Sequence, residues 1–82
     1  ERIARLDALA GQEDRLWQEV RDLLERPGGT RYDNAVAQII TLRDLARHRQ
    51  QMPLFMERLQ DLVQQHQKRT AFMQRLREQR LA

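Results

Sequence analysis

The chain has 82 residues, of which a third are charged, with a formal net charge of +3 and no cysteine. That length admits one small domain with a core near the lower limit of self-sufficiency, and without thiols neither disulfides nor thiolate metal ligation can reinforce it. No apolar run approaches the roughly 20 residues of a membrane span and no secretory signal is visible, so a cytoplasmic protein is expected.

Residues 1–26 read as helix. Ile3, Leu6, Ala10, Glu13, Trp17, Val20 and Leu24 advance in three- and four-residue steps, a heptad-like seam interrupted only by Glu13, and Leu9, Leu16 and Leu23 widen the apolar face. Gly11 stands near the middle, where it costs about 1 kcal/mol relative to Ala. The segment therefore reads as a continuous or weakly broken helix, the alternative being a short helix to Ala10 and a second from about Gln12. Pro27, Gly28 and Gly29 end it, since the residue before a proline is driven out of the helical region.

Residues 30–48 are the most clearly written helix and the expected centre of the core. Thr30 follows the turn-forming run and can cap the free N–H groups, with Asp33 reaching back in a capping-box arrangement. Tyr32, Ala35, Val36, Ile39, Ile40, Leu42, Leu45 and Ala46 form a broad apolar stripe. Gln38, Thr41, Arg43, Asp44 and Arg47 lie mostly off it, facing water. A polar connection then reaches Pro53, which suits the first turn of a third helix, about 53–67, antiparallel to the second. Leu54, Phe55, Leu59, Leu62, Val63 and His66 fall on one of its faces. Residues 64–69 are polar without glycine or proline, and an apolar pattern resumes over 70–81. Two readings remain: one helix over 53–80, or a hairpin with its corner near 67–70 and Thr70 capping the second arm. No period-two alternation marks a strand. The expected fold is all-α, a single antiparallel bundle of three to five helices in repeat-like hairpins. The start at Glu1 rather than Met makes it read as a piece of a longer protein.

Chemistry-bearing residues are few. There is no Ser and no Cys, so the usual acyl-transfer nucleophiles are absent, and Gly28–Gly29–Thr30 lacks the lysine of a phosphate loop. His48 and His66 have no Cys or carboxylate at i+3 or i+4 to complete a metal pair. The carboxylates alternate with arginines at pairing distances such as Asp22 and Arg26, the pattern of a solvated helix face. No enzyme, metal or cofactor is expected. Charge is nonetheless lopsided: residues 1–41 carry six basic and eight acidic groups, a net of −2, and residues 42–82 nine basic and four acidic, a net of +5. Arg47, Arg49, Arg69, Arg75, Arg77 and Arg80 would form a nucleic-acid-binding face if they share one unpaired surface. Trp17, Tyr32, Phe55 and Phe72 read as core anchors or as the lining of a protein-binding groove, with Trp17 and Tyr32 joining the first helix to the second.

The run Arg31-Tyr32-Asp33-Asn34-Ala35-Val36 resembles the second helix of a tetratricopeptide-type hairpin, in which a small Ala permits close helix approach. More broadly, Tyr32, Asp33, Ala35, Val36, Leu42, Arg43, Asp44, Leu45, Phe55, Arg58, Leu59, Leu62, His66, Lys68 and Phe72 resemble, in their order, the helical tail of bacterial SWIM zinc-finger proteins, over about residues 15–80. In that family zinc is held by a Cys-x-Cys…Cys-x-His set; with no cysteine here, neither the metal nor a finger-borne DNA-binding role carries over. What the resemblance implies is a helical-repeat tail with a corner near 68–70. The expected function is a non-catalytic protein-interaction or scaffolding module of a larger bacterial protein, with an Arg-rich nucleic-acid accessory module as the alternative. The partner would be another protein or the rest of the parent chain. Self-association into a homodimer is also expected, because a few helices cannot cover all their apolar faces alone.

Overall fold

The computed structural model describes residues 8–81. Among them the only regular elements of length are four helices: α1 (Glu13–Leu24), α2 (Gly29–His48), α3 (Met52–Gln65) and α4 (Thr70–Glu78). The all-α bundle expected from the periodicity is what forms, with no strand among the described residues.

The first segment does not run through as one helix. Ala8 and Leu9 are helical, the chain turns at Ala10 and Gly11, and α1 starts at Glu13. Gly11 takes φ +85°, a left-handed conformation in which glycine is the least costly residue, so it punctuates the helix rather than weakening it. Ala10 is consequently exposed instead of continuing the seam, while Ile3 and Leu6 lie outside the described residues. α1 then buries Leu16, Trp17, Val20 and Leu24. Glu13 and Asp14 stand in its first turn, where the helix dipole favours negative charge.

α2 begins one residue earlier than expected, and its capping differs. Gly28 occupies the N-cap at φ 153°, its carbonyl accepts the Tyr32 N–H at 3.0 Å, and no side chain caps the helix. Thr30 is an exposed residue inside the first turn. Asp33 bonds Arg75 of α4 instead, Oδ1 accepting from Nε at 2.6 Å. Two adjacent glycines allow the chain to enter the helix without a hydroxyl, which leaves the carboxylate for a tertiary contact.

α2 packs against each of the other three helices, so it is the centre of the bundle. Arg31 at its start donates to the carbonyls of Leu23 (3.0 Å) and Asp22 (2.7 Å) at the end of α1. Gln38 donates to Glu19 at 2.8 Å, and Arg49 just past the end of α2 pairs with Glu13 at the start of α1. These contacts run in opposite chain directions, so α1 and α2 form an antiparallel hairpin. α2 buries Tyr32, Ala35, Val36, Ile39, Leu42, Leu45 and Ala46. Because it has neighbours on three sides, Gln38, Thr41, Arg43 and Asp44 are half-buried rather than fully in water; only Arg47 of that set is exposed.

α2 closes with Gln51 N–H on the Ala46 carbonyl (2.7 Å) and Gln50 N–H on the Arg47 carbonyl (3.3 Å), with Gln50 left-handed at φ 56°. That is a Schellman closure in which a glutamine holds the place usually given to glycine. Pro53 lies in the first turn of α3. The chain then turns a corner at residues 66–69, where Arg69 N–H bonds the His66 carbonyl at 3.0 Å, so the hairpin reading of 53–80 is the one realised. Thr70 is the first residue of α4 and caps nothing; the N-cap position falls to Arg69. α4 also ends sooner than 81. Leu81 N–H bonds the Leu76 carbonyl (2.8 Å) and Arg80 N–H the Arg77 carbonyl (2.9 Å), with Arg80 left-handed at φ 58°. This second Schellman closure folds Leu81 back into the core, where it is 6 % exposed.

Candidate functional site

The four aromatic residues expected to anchor the core or line a groove are all buried: Trp17, Tyr32, Phe55 and Phe72. Their rings meet in two pairs. Trp17 of α1 meets Phe55 of α3 with ring centroids 5.7 Å apart, and Tyr32 of α2 meets Phe72 of α4 at 6.1 Å. The ring pairs thus pin α3 and α4 onto the first hairpin, while Trp17 also borders Leu42 and Ala46 of α2. Among the described residues every fully buried side chain is apolar. The space left between Trp17, Leu42, Ala46 and Phe55 is about 20 Å³, room for no more than a single water.

The six arginines of the expected basic face do not behave as a set. Arg49 forms an ion pair with Glu13, across the open end of the first hairpin. Arg69 donates to the Tyr32 hydroxyl at 3.2 Å. Arg75 bonds Asp33, donates to the Ala71 carbonyl at 3.0 Å and lies 5.9 Å from the Tyr32 ring centroid, a cation–π distance. Arg58, outside the predicted set, pairs with Asp14. Arg47, Arg77 and Arg80 stand exposed, Arg47 near the end of α2 and the other two at and beyond the end of α4.

The two histidines serve the helices. His66 at the corner places Nδ1 2.9 Å from the Leu62 carbonyl and its ring edge against Phe72, centroids 6.5 Å apart. His48 is an exposed residue of the last turn of α2, where the dipole favours positive charge. Among the described residues no three His, Asp or Glu side chains gather as a cation site.

Two surface features went unread in the sequence. The first is a polar hollow of about 430 Å³ between α1 and α2, lined by Glu19, Asp22, Leu23, Arg31, Asn34 and Gln38. Arg31 and Glu19 are engaged by the hydrogen bonds that hold the hairpin together, and the Asp22 carboxylate accepts from Gln18 within α1 at 3.0 Å. The second is an open groove of about 570 Å³ beside α3, lined by Met56, Leu59, Gln60, Val63, Gln64, Gln67, Arg80 and Leu81. Met56 is 42 % exposed, and Leu54, expected on the buried face, is 48 % exposed on another side of α3. The signal was present in the spacing: Leu54, Phe55 and Met56 are consecutive, and three consecutive helical residues cannot share one face. What could not be read was the return of Leu81 to complete the groove wall.

Compared with protein-family models, curated proteins and solved structures, the chain matches none.

Proposed function

We propose that the chain is a non-catalytic protein-interaction or scaffolding module of a larger bacterial cytoplasmic protein, a role in keeping with its resemblance to the helical tail of SWIM zinc-finger proteins and to tetratricopeptide hairpins. One observation carries the reading. Half of the arginines that a nucleic-acid face would require are committed within the fold, Arg49 to Glu13, Arg69 to Tyr32 and Arg75 to Asp33. A guanidinium already bonded within the fold has fewer donors, and beside a carboxylate less net charge, to offer a phosphate. The open groove beside α3, with Met56 and Val63 at its floor, is by contrast what a protein-binding surface offers.

The alternative, an Arg-rich nucleic-acid accessory module, draws on Arg47, Arg77 and Arg80, which are exposed in the half of the chain that carries a net +5. Fluorescence anisotropy with labelled single- and double-stranded oligonucleotides at about 50 and 200 mM salt separates the two. The interaction-module reading expects no saturable binding at the lower salt. Micromolar or tighter binding that collapses at the higher salt would overturn it.

A further inference from the structure

We propose that the groove between α3 and the end of α4 docks an amphipathic helix of a partner protein, one that carries carboxylates beside its apolar stripe. This rests on the interaction-module reading and names the surface and the chemistry of the partner. The floor is apolar: Met56 is 42 % exposed, Val63 is half-buried, and Leu81 forms a wall because the Schellman closure turns it inward. From Met56 to Gln64 the groove follows about 12 Å of helix axis, roughly two turns, which matches the apolar face of a short partner helix with anchors at i, i+3 or i+4 and i+7.

Charge selects the occupant. A third of the chain's residues are charged, yet among the described residues this lining holds a single charge, Arg80, with glutamines and apolar groups around it. Glutamine amides rim the groove without imposing a sign, so the guanidinium alone sets the preference, and it calls for an acid. Arg80 occupies a left-handed position where glycine would close the helix at lower cost, and no ion pair holds its side chain among the described residues. A second copy of this chain would bring its own Arg80 to a lining that contains no carboxylate among the described residues. Nucleic acid would place phosphates against Met56, Val63 and Leu81. An acidic amphipathic helix meets both the floor and the cation.

The test is anisotropy of a labelled helix-forming peptide of about 16 residues with Leu at i, i+3 and i+7 flanked by Glu, against a twin with Lys in place of Glu. The whole chain is titrated as wild type, as Arg80→Glu and as Met56→Asp, the last at an exposed site that leaves the core intact. The Glu peptide is expected to bind, the Lys twin about fivefold or more weaker, and Arg80→Glu to reverse that order, with Met56→Asp removing binding of both. Absence of saturable binding, equal affinity for the twins, or indifference to Arg80→Glu overturns the proposal. So does a concentration-dependent doubling of mass in sedimentation that Met56→Asp abolishes, because a second copy would then be the occupant. If the peptide fails and oligonucleotides fail as well, the groove assignment falls while the module reading stands; oligonucleotide binding removes the module reading itself.

Discussion

Two residues, Gln50 and Arg80, sit at φ 56° and 58°, where side chains bearing a Cβ are strained. Both close helices through the same pair of backbone hydrogen bonds, so the closure geometry is fixed and the residue type is not. Gln50 is exposed, and glycine suits its conformation without that strain. Gln50→Gly is therefore expected to raise stability by about 1 kcal/mol, read as a higher urea midpoint at unchanged slope. Gln50→Ala should give no such gain, since alanine keeps the Cβ; equal gains from both would mean that the strain is not the cause. Glycine at Gly11 is the converse case, already matched to φ +85°. Local sequence displayed that glycine but not its role, because an isolated glycine in a helical pattern is compatible with either a bend or a break.

At the scale of elements, α4 is a short helix held by three buried side chains, Phe72 the largest beside Met73 and Leu76, and by one surface pair. Phe72 is fully buried against Tyr32, while the side chains of Arg75 and Asp33 are 31 % and 68 % exposed. Exposed ion pairs contribute roughly 0.2–1 kcal/mol, whereas truncating a buried phenylalanine costs about 3–5 kcal/mol. Phe72→Ala is accordingly expected to remove a large part of the roughly 4–12 kcal/mol that a domain of this size possesses. A double-mutant cycle of Arg75→Ala with Asp33→Ala should report a coupling below about 1 kcal/mol. A coupling larger than the Phe72 effect would invert this ranking. The corner before α4 was not legible locally: residues 66–69 use no left-handed conformation, so nothing there demands the glycine that marks most turns. The decision between one helix and a hairpin fell instead to Phe72, Met73 and Leu76, which become buried when the chain folds back.

At the scale of the whole molecule, α2 is the shared neighbour of the other three helices, and removing one of them uncovers it. Tyr32 loses Phe72 and Arg69 if the chain is cut after Gln67. Such a truncation is expected to abolish the cooperative thermal transition, because a core this small has little to spare. Retention of a sharp transition near the full-length midpoint would make the first three helices an independent unit with α4 as an appendage.

The amino-acid pattern by itself determined the helical class, the punctuations at residues 27–29 and before Pro53, and most of the buried set. Apolar residues at three- and four-residue spacing specify a helix face whatever that face meets, and proline and glycine act through their own backbone restrictions. Tertiary structure alone decided which helices meet and which charges are spent. The Trp17–Phe55 and Tyr32–Phe72 contacts, the diversion of Asp33 from capping to Arg75, and the return of Leu81 all join residues far apart in the chain. A one-dimensional period states that a face is apolar and leaves open which neighbour covers it, so the candidate groove beside α3 became visible only once the helices had packed and Leu81 had turned back.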